Sequence, residues 1–418
     1  MSTQNASKTL LEAGQLDRSF GTDGTTLLEG TEVKALAVLK AEGVDQGKVI
    51  GVINTANDFI LFRLKKDGAL DHTFGTNGYA RWGFGGTQTR SIPTGIVELS
   101  DSKILLTGHV LEGGTFGNYY PAAARVNAKG SPDLTFGQSG VFTFRDQPPT
   151  EGQTPASDSQ ETSAIGDLTV VETKAGKILF SANNSDGKPY RNWGLLIRLT
   201  STGELDNTFN DQGYAFFKFG GQNTSSIGSV TQTSGRIIVA GSTATQGFLA
   251  GFTQTGKTDR SFGTNGFTAF ELIAGRVDLR QLLLQTDNKP VVIGRSGTSS
   301  SNGFVTRTDI DGNRDDTFNG GEPLITKYPF QASQWNSGDI DSIGSIIVGG
   351  ELSDRGLGLV GRITKAGEPD SNFGKNGLSD PYASGTPNYT TSAAVQTETQ
   401  IVIAGRKDNI PSVSRYQA

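Results

Sequence analysis

The chain has 418 residues, of which 34% are hydrophobic, 19% are charged and 57 are glycine, with two histidines, no cysteine and a formal net charge of −5. The missing cysteine excludes disulfides, thiol catalysis and thiolate metal sites, and two histidines argue against a zinc centre or a histidine-based triad. No basic cluster marks a nucleic-acid partner, and no apolar run approaches the roughly 18 residues of a membrane-spanning helix.

Residues 1–13 read as an N-terminal tail. The stretch from Met1 to Gln15 has neither the basic nor the apolar region of a signal peptide, which leaves the compartment open between cytoplasm and non-classical export. From Gly14 onward the chain repeats variants of Gly-x-x-Asp-x-Ser/Thr-Phe-Gly, beginning at Gly14, Gly68, Gly130, Gly203, Gly256, Gly312 and Gly367. The copies recur about every 59 residues, and a period of that length with strand-like filler signifies a repeat architecture. The repeat overrides the expectation of about three domains from length alone.

The phrase has a mechanical reading. Its acids, Asp17, Asp71, Asp133, Asp206, Asp259, Asp315 and Asp370, accept backbone N–H groups two residues on, as in an Asx-turn. Its aromatics, Phe20, Phe74, Phe136, Phe209, Phe262, Phe318 and Phe373, plug the loop. The residue after each Phe is Gly in five copies and Asn in two, Asn210 and Asn319, the types that tolerate a left-handed backbone. A catalytic carboxylate is needed once, not seven times at even spacing, so these aspartates are assigned to architecture.

Taken along the chain, each unit predicts four strands. The first resembles Val33–Leu39, and the second is the most regular, as in Lys48–Ile53, Arg236–Gly241 and Ser345–Gly350. The third carries an arginine five residues before the motif glycine: Arg63, Arg125, Arg198, Arg307 and Arg362, with Gly251 breaking the rule in the fourth unit. The fourth strand follows the Phe-Gly loop. The last unit runs out after its third strand, which contains Arg415, and its missing loop and fourth strand lie at the other terminus, Gly14 to Leu28. That arrangement predicts an all-β ring of seven four-stranded antiparallel blades, residues 14–418, closed by the N-terminal strand.

The recurring second strand and the Asp-x-Ser/Thr-Phe-Gly loop together resemble the delta-60 repeat, a β-propeller family of about sixty residues per unit. The likeness runs in phase over about residues 14 to 417. It implies a propeller and brings no catalytic residues.

In such a ring the uniform loops share one face, and the irregular links share the other. Three links stand out: His109 to Tyr120, Asp146 to Ser163, and Asn183 to Asn192. His109 is expected just past the strand Ile104–Gly108, and His72 in a variable surface slot of the loop. Aromatic and polar residues on loops over a rigid scaffold commonly carry binding. Tyr119, Tyr120, Tyr190, Arg191 and Trp193 are therefore the candidate ligand surface. The reading is a soluble, monomeric, non-enzymatic scaffold for a protein or glycan, without cofactor, metal, nucleic acid or membrane span. A lectin-like protein is one alternative. Another is a hydrolase or lyase using the axial channel, where inner strands offer Glu98, Glu172, Asp278 or Asp339. Two decoys are set aside. Asp309–Asp315 begins like a calcium loop but lacks Gly at its sixth position and an acid at its twelfth. Gly83-Phe84-Gly85-Gly86 precedes a strand, where a phosphate cradle would precede a helix.

Overall fold

The computed structural model describes residues 12–86, 89–113, 117–149, 170–172, 176–185, 192–270, 277–297, 302–326, 328, 331–352 and 355–418. Apolar side chains that alternate along short strands need two covered faces, and neighbouring blades provide them. Blade 1 comprises Glu32–Val38, Val49–Asn54, Phe59–Leu64 and Tyr79–Trp82, each antiparallel to the next. The inner strands of blades 2 to 7 are Arg90–Glu98, Val170–Glu172, Ser225–Thr231, Val277–Leu284, Ser333–Ile340 and Tyr389–Thr397. Each packs beside the next, and the seventh packs beside the first, which closes the ring. The core is distributed accordingly: among the described residues, seven apolar clusters each draw on two adjacent blades.

Blade 7 joins the termini. Its strands Tyr389–Thr397, Gln400–Lys407 and Ile410–Gln417 are completed by Thr25–Leu27, with Thr26 opposite Val413. Thr25 Oγ1 and Ser414 Oγ share a buried hydrogen bond of 2.9 Å, and Gly14 N donates to Gln417 O at 2.8 Å. Blade 6 differs from the others. It has three strands, Ser333–Ile340, Ile346–Leu352 and Leu357–Ile363, and where a fourth would run Leu378 forms an isolated bridge to its edge at Gly361. Pro381, which has no N–H, interrupts the fourth strand. Instead, Ser379 donates N–H to Val360 O at 2.9 Å and accepts Val360 N–H on Oγ at 3.0 Å, while Pro387 O accepts from Gly358 N at 2.8 Å.

The repeated loop is a weld between blades. In blade 1, Asp71 Oδ1 accepts from Thr73 N and Oγ1 at 3.2 and 2.7 Å, and its Oδ2 accepts from Arg63 Nε and Lys48 Nζ at 2.8 and 2.7 Å. Arg63 then reaches forward, donating to Ala128 O of blade 2 at 2.7 Å, and its guanidinium lies 5.0 Å from the centre of the Phe74 ring. The residue after Phe makes a second crossing: Gly75 N donates to Lys129 O at 2.8 Å. Gly75 has φ of 52°, and a Cβ there would sit 2.0 Å from Tyr79 O, so glycine is required. Equivalent crossings leave Gly21, Gly137, Asn210, Gly263, Asn319 and Gly374, the last reaching Ala13 at the chain start. Burial alone would raise the Asp71 carboxyl. Hydrogen bonds from Lys48 and Thr73 and the Arg63 charge outweigh it, holding the group well below the usual carboxylate range.

Blade 4, with Gly251 in the arginine slot, repairs the weld from another strand. A Cβ at Gly251 would lie 2.4 Å from Phe262 Cβ, so no side chain fits there. Arg236, at the start of the second strand, donates instead to Asp259 Oδ2 at 2.7 Å, Ser261 Oγ at 3.0 Å and Ile310 O of blade 5 at 2.9 Å. Blade 6 diverts its arginine: Arg362 holds Asp341 at 2.8 Å and Asp370 only at 3.4 Å.

Candidate functional site

The two faces of the ring are chemically different. On the face of the repeated loops, the carboxylates are engaged with structure. Asp309 Oδ1 accepts from Asp311 N and Asn313 N at 2.9 and 2.8 Å, so the calcium-like stretch is an ordinary turn. Among the described residues no group of acids and histidines is arranged to hold a metal. The Gly83–Gly86 stretch is an interblade link in which Phe84 N donates to Ser91 Oγ at 2.8 Å.

The irregular face holds Tyr119, Tyr120 and Trp193, on strand ends instead of loops. The second and third strands of blade 2 run on as Ile104–Glu112 and Asn118–Val126, with Glu112 opposite Asn118. The expected long link from His109 is therefore mostly strand, because Val110 and Leu111 continue the apolar register and are buried. His109 itself is 4% exposed with Nδ1 unpartnered, and burial lowers its pKa to about 4. Tyr119 is 44% exposed. Tyr120 carries the Arg145 guanidinium 4.7 Å from its ring centre, and Arg145 forks onto Glu112 at 3.0 and 2.7 Å. On blade 3, Trp193 opens the strand Asn192–Leu199, with Lys218 Nζ 4.4 Å from its ring centre and Phe216 edge-on at 6.2 Å. Asn184 Nδ2 donates to Asp146 O at 2.9 Å, which ties the link leaving blade 2 to blade 3. Tyr190 and Arg191 lie outside the described residues.

The axial channel is a cavity of about 330 Å³, and its walls come from blades 1, 2, 5, 6 and 7. Small residues line it, among them Ala35, Ala37, Gly95, Gly338 and Ala393, with Lys40, Glu98 and Asp339 towards the repeated-loop end. Three of the four predicted axial acids serve as junction ties. Glu98 accepts from Lys40 N and Ala41 N of blade 1 at 2.5 and 3.0 Å. Glu172 accepts from Ser100 N and Oγ of blade 2 at 2.6 and 2.9 Å. Asp339 accepts from Val395 N of blade 7 at 2.9 Å, and burial raises its carboxyl.

Asp278 is different. It stands at the opposite mouth, where the described inner strands of blades 1, 2, 4, 5, 6 and 7 bulge one step into the sheet. A bulge re-aims side chains. Asp278 Oδ2 accepts from Arg280 Nη2 at 2.7 Å and Arg295 Nε at 2.9 Å, and Arg295 Nη1 donates to Gln334 Oε1 of blade 6 at 2.6 Å. Gln334 in turn donates to Glu351, which is 7% exposed. Burial raises the Glu351 carboxyl against the opposing pull of Gln334, Arg295, Asn336 and Arg280. Tyr389 of blade 7 is raised first by burial and then by the charges of Glu351 and Glu32. Charges from blades 1, 5 and 6 act on one phenol of blade 7 only because all four blades meet at the axis.

Of this constellation the sequence yields Asp278 alone. Its partners lie on different blades with no fixed spacing. One signal was available: the sixth residue of each second strand, counted from Val49, Ile104, Ile178, Ile237, Pro290, Ile346 and Ile401, is polar in every unit, namely Asn54, His109, Asn183, Ser242, Arg295, Glu351 and Arg406.

Residues 47–74 match a family model described as a domain of unknown function (DUF5122) beta-propeller, in keeping with the delta-60 resemblance. No curated protein matches the chain in sequence. Among solved structures it is similar to an ulvan lyase of polysaccharide lyase family PL25 bound to -[GlcA(1-4)Rha3S]-, with 10% identity, a TM-score of 0.50, and coverage of 94% of this chain and 95% of that one. The polysaccharide lyase Uly1 gives 10% identity and a TM-score of 0.47, covering 100% and 95%. The Dos1 propeller gives 9% identity and a TM-score of 0.48, covering 94% and 93%. At such identities the likeness is one of fold.

Proposed function

We propose that the chain is a non-enzymatic binding propeller that takes a glycan or protein ligand across the irregular face of blades 2 and 3. One observation carries this: two aromatic rings on adjacent blades, Tyr120 and Trp193, each held by a cation, beside the exposed Tyr119. Flat rings present apolar area and polar tips at low conformational cost, the pairing that suits sugar faces and protein hot spots. Strand ends fix the rings, so little ordering remains to be done on binding. The test is a glycan and protein array probed with the purified chain. Signal lost in both Tyr120→Ala and Trp193→Ala at unchanged melting supports the reading, and signal retained in both refutes it.

A second reading, a hydrolase or lyase acting on a polar or carbohydrate substrate at the axis, is favoured by the buried Glu351 near Tyr389 and two arginines, since a carboxyl raised by burial suits acid–base work. It requires new reducing ends or unsaturated product from an acidic polysaccharide, abolished by Glu351→Gln.

A further inference from the structure

Between blade 5, whose fourth strand is Leu324–Thr326, and blade 6, which lacks one, lies a cavity of about 440 Å³. Two local choices open it. In blade 3 both Tyr214 and Phe216 of the fourth strand pack into the junction with the preceding blade. In blade 6 Leu378 does so, and the chain turns away at Pro381 before a second side chain can follow. The residue opposite Leu378 is Gly361, where blades 1 to 4 set Phe62, Ala124, Ile197 and Ala250. The lining is mostly apolar. Trp335 and Val348 lie beneath it, both 0% exposed, and the indole is satisfied by Thr326 Oγ1. Leu324, Ile363 and Leu378 form walls, and Ile325, 40% exposed, stands at the mouth. The two ends of the cavity differ in charge. Lys375, in the repeated loop, lines one end, and its side chain has no ion pair among the described residues. Tyr328, past the end of the blade 5 strand, lines the other. Asp380 belongs to that end, since it accepts from Tyr382 N at 2.9 Å and the Tyr382 ring lies 6.2 Å from Tyr328.

We propose that this cavity is a second binding site, for a straight-chain aliphatic carboxylate whose chain lies on Leu324, Ile363 and Leu378 and whose head meets Lys375. Three facts favour an occupant over a mere gap in the packing. First, a void deprives its lining of contacts and lowers stability, whereas an apolar cavity of this size takes up an apolar ligand. Second, the departures coincide in one unit. The lost fourth strand and Gly361 belong to blade 6, and so does Lys375, whose slot holds Thr22, Thr76, Gln138, Asp211 and Thr264 elsewhere. A packing defect requires no cation at its rim. Third, the polarity fixes the ligand. The cavity follows the length of the Leu324–Thr326 strand, which suits a chain better than a ring. Its free ammonium group at one end and Asp380 at the other direct a negative head to Lys375.

The site lies on blades 5 and 6, away from Tyr120 and Trp193, so the two surfaces are read separately. The full chain is titrated calorimetrically with sodium hexanoate, octanoate and decanoate and with octan-1-ol. Affinity should rise about fourfold per added methylene, the worth of one buried CH₂. Octanol should bind about threefold to tenfold more weakly than octanoate, and Lys375→Gln should abolish that difference. Ile325→Glu sets a carboxylate in the partly exposed mouth and should weaken decanoate more than about tenfold. Leu378→Trp fills the cavity and should abolish binding; if that variant melts early, Ile325→Glu carries the test. Trp193→Ala should leave decanoate binding unchanged. The proposal is overturned by no binding of decanoate, by an affinity indifferent to chain length, by octanol binding as tightly as octanoate, or by decanoate binding unmoved in Ile325→Glu.

Discussion

At the residue scale, the arginine–aspartate pair performs one task from two addresses. In blade 3 it is Arg198 with Asp206 at 2.7 Å, reaching Gln254 O at 2.6 Å, and in blade 4 it is Arg236 with Asp259 at 2.7 Å. Breaking a buried pair strands the remaining charge and costs about 3–5 kcal/mol. Arg198→Met is therefore expected to lower the urea midpoint substantially, and Arg236→Met, whose pair is only partly buried, to lower it by a smaller but measurable amount. Lys177, which occupies the Arg236 slot in blade 3, is more exposed, and Lys177→Met should cost about 1 kcal/mol or less. A midpoint unmoved by Arg236→Met would show that the repair in blade 4 is cosmetic. His109 gives a second residue-scale outcome. Its folded pKa of about 4 lies below the unfolded value, so its proton binds preferentially to the unfolded chain. Its contribution is present above about pH 6.5 and is lost as the pH falls towards 4. His109→Gln should flatten the stability profile in that interval, and an unchanged slope would contradict the burial assigned to it.

At the scale of elements, closure depends on three residues of strand, Thr25–Leu27, supported by the bonds of Gly14 and Leu16. Thr25 and Ser414 face each other as a pair without mutual backbone bonds, where Cβ atoms stand about 4.5–5.5 Å apart. The chain has no cysteine to interfere, so Thr25→Cys with Ser414→Cys should oxidise to a single disulfide. By constraining nearly the whole chain it should add about 2–4 kcal/mol, read as a reversible rise in melting temperature on oxidation. Failure to form the bond would place the termini in different sheets. The blade 6 edge is the opposite case, since its fourth strand is replaced by side-chain and loop contacts. Ser379→Ala leaves Val360 N unpartnered and should cost about 1–3 kcal/mol. These two elements also show what was legible. The phasing of the motif and the split last unit gave away closure, because a repeat that stops short at one end and begins short at the other has one way to complete itself. The blade 6 departure is written only in Pro381, a single residue inside an otherwise ordinary period. The strand extension of blade 2 was hidden because Gly108 looked like a strand end, when the apolar Val110 and Leu111 carry the register onward.

At the scale of the whole molecule, the repeated welds lie on one face of the ring and the irregular strand ends, where we propose binding, on the other. The repeated aspartates were readable as architecture from their number, whereas the channel mouth was not readable, because Asp278, Gln334, Glu351 and Tyr389 meet only after three blades have folded. The welds also set the acid limit of the ring. Their carboxyls are held below the ordinary range by arginine, lysine and hydroxyl partners, as at Asp71, Asp133, Asp206 and Asp315. A depressed folded pKa contributes stability that is complete above the unfolded carboxylate value of about 4 and is lost as the pH falls below it. Acid unfolding should accordingly be steep below about pH 4, and Asp206→Asn should shallow it while lowering stability at neutral pH. The most direct test of the central claim, that the recurring loop binds each blade to the next around a closed circle, is amide hydrogen exchange at its cross-blade donors, Gly21, Gly75, Gly137, Asn210, Gly263, Asn319 and Gly374. All seven should exchange as slowly as the central strands, opening only with global unfolding, Gly374 included. Fast exchange at these loops while the strands stay protected, or at Gly374 alone, would contradict it.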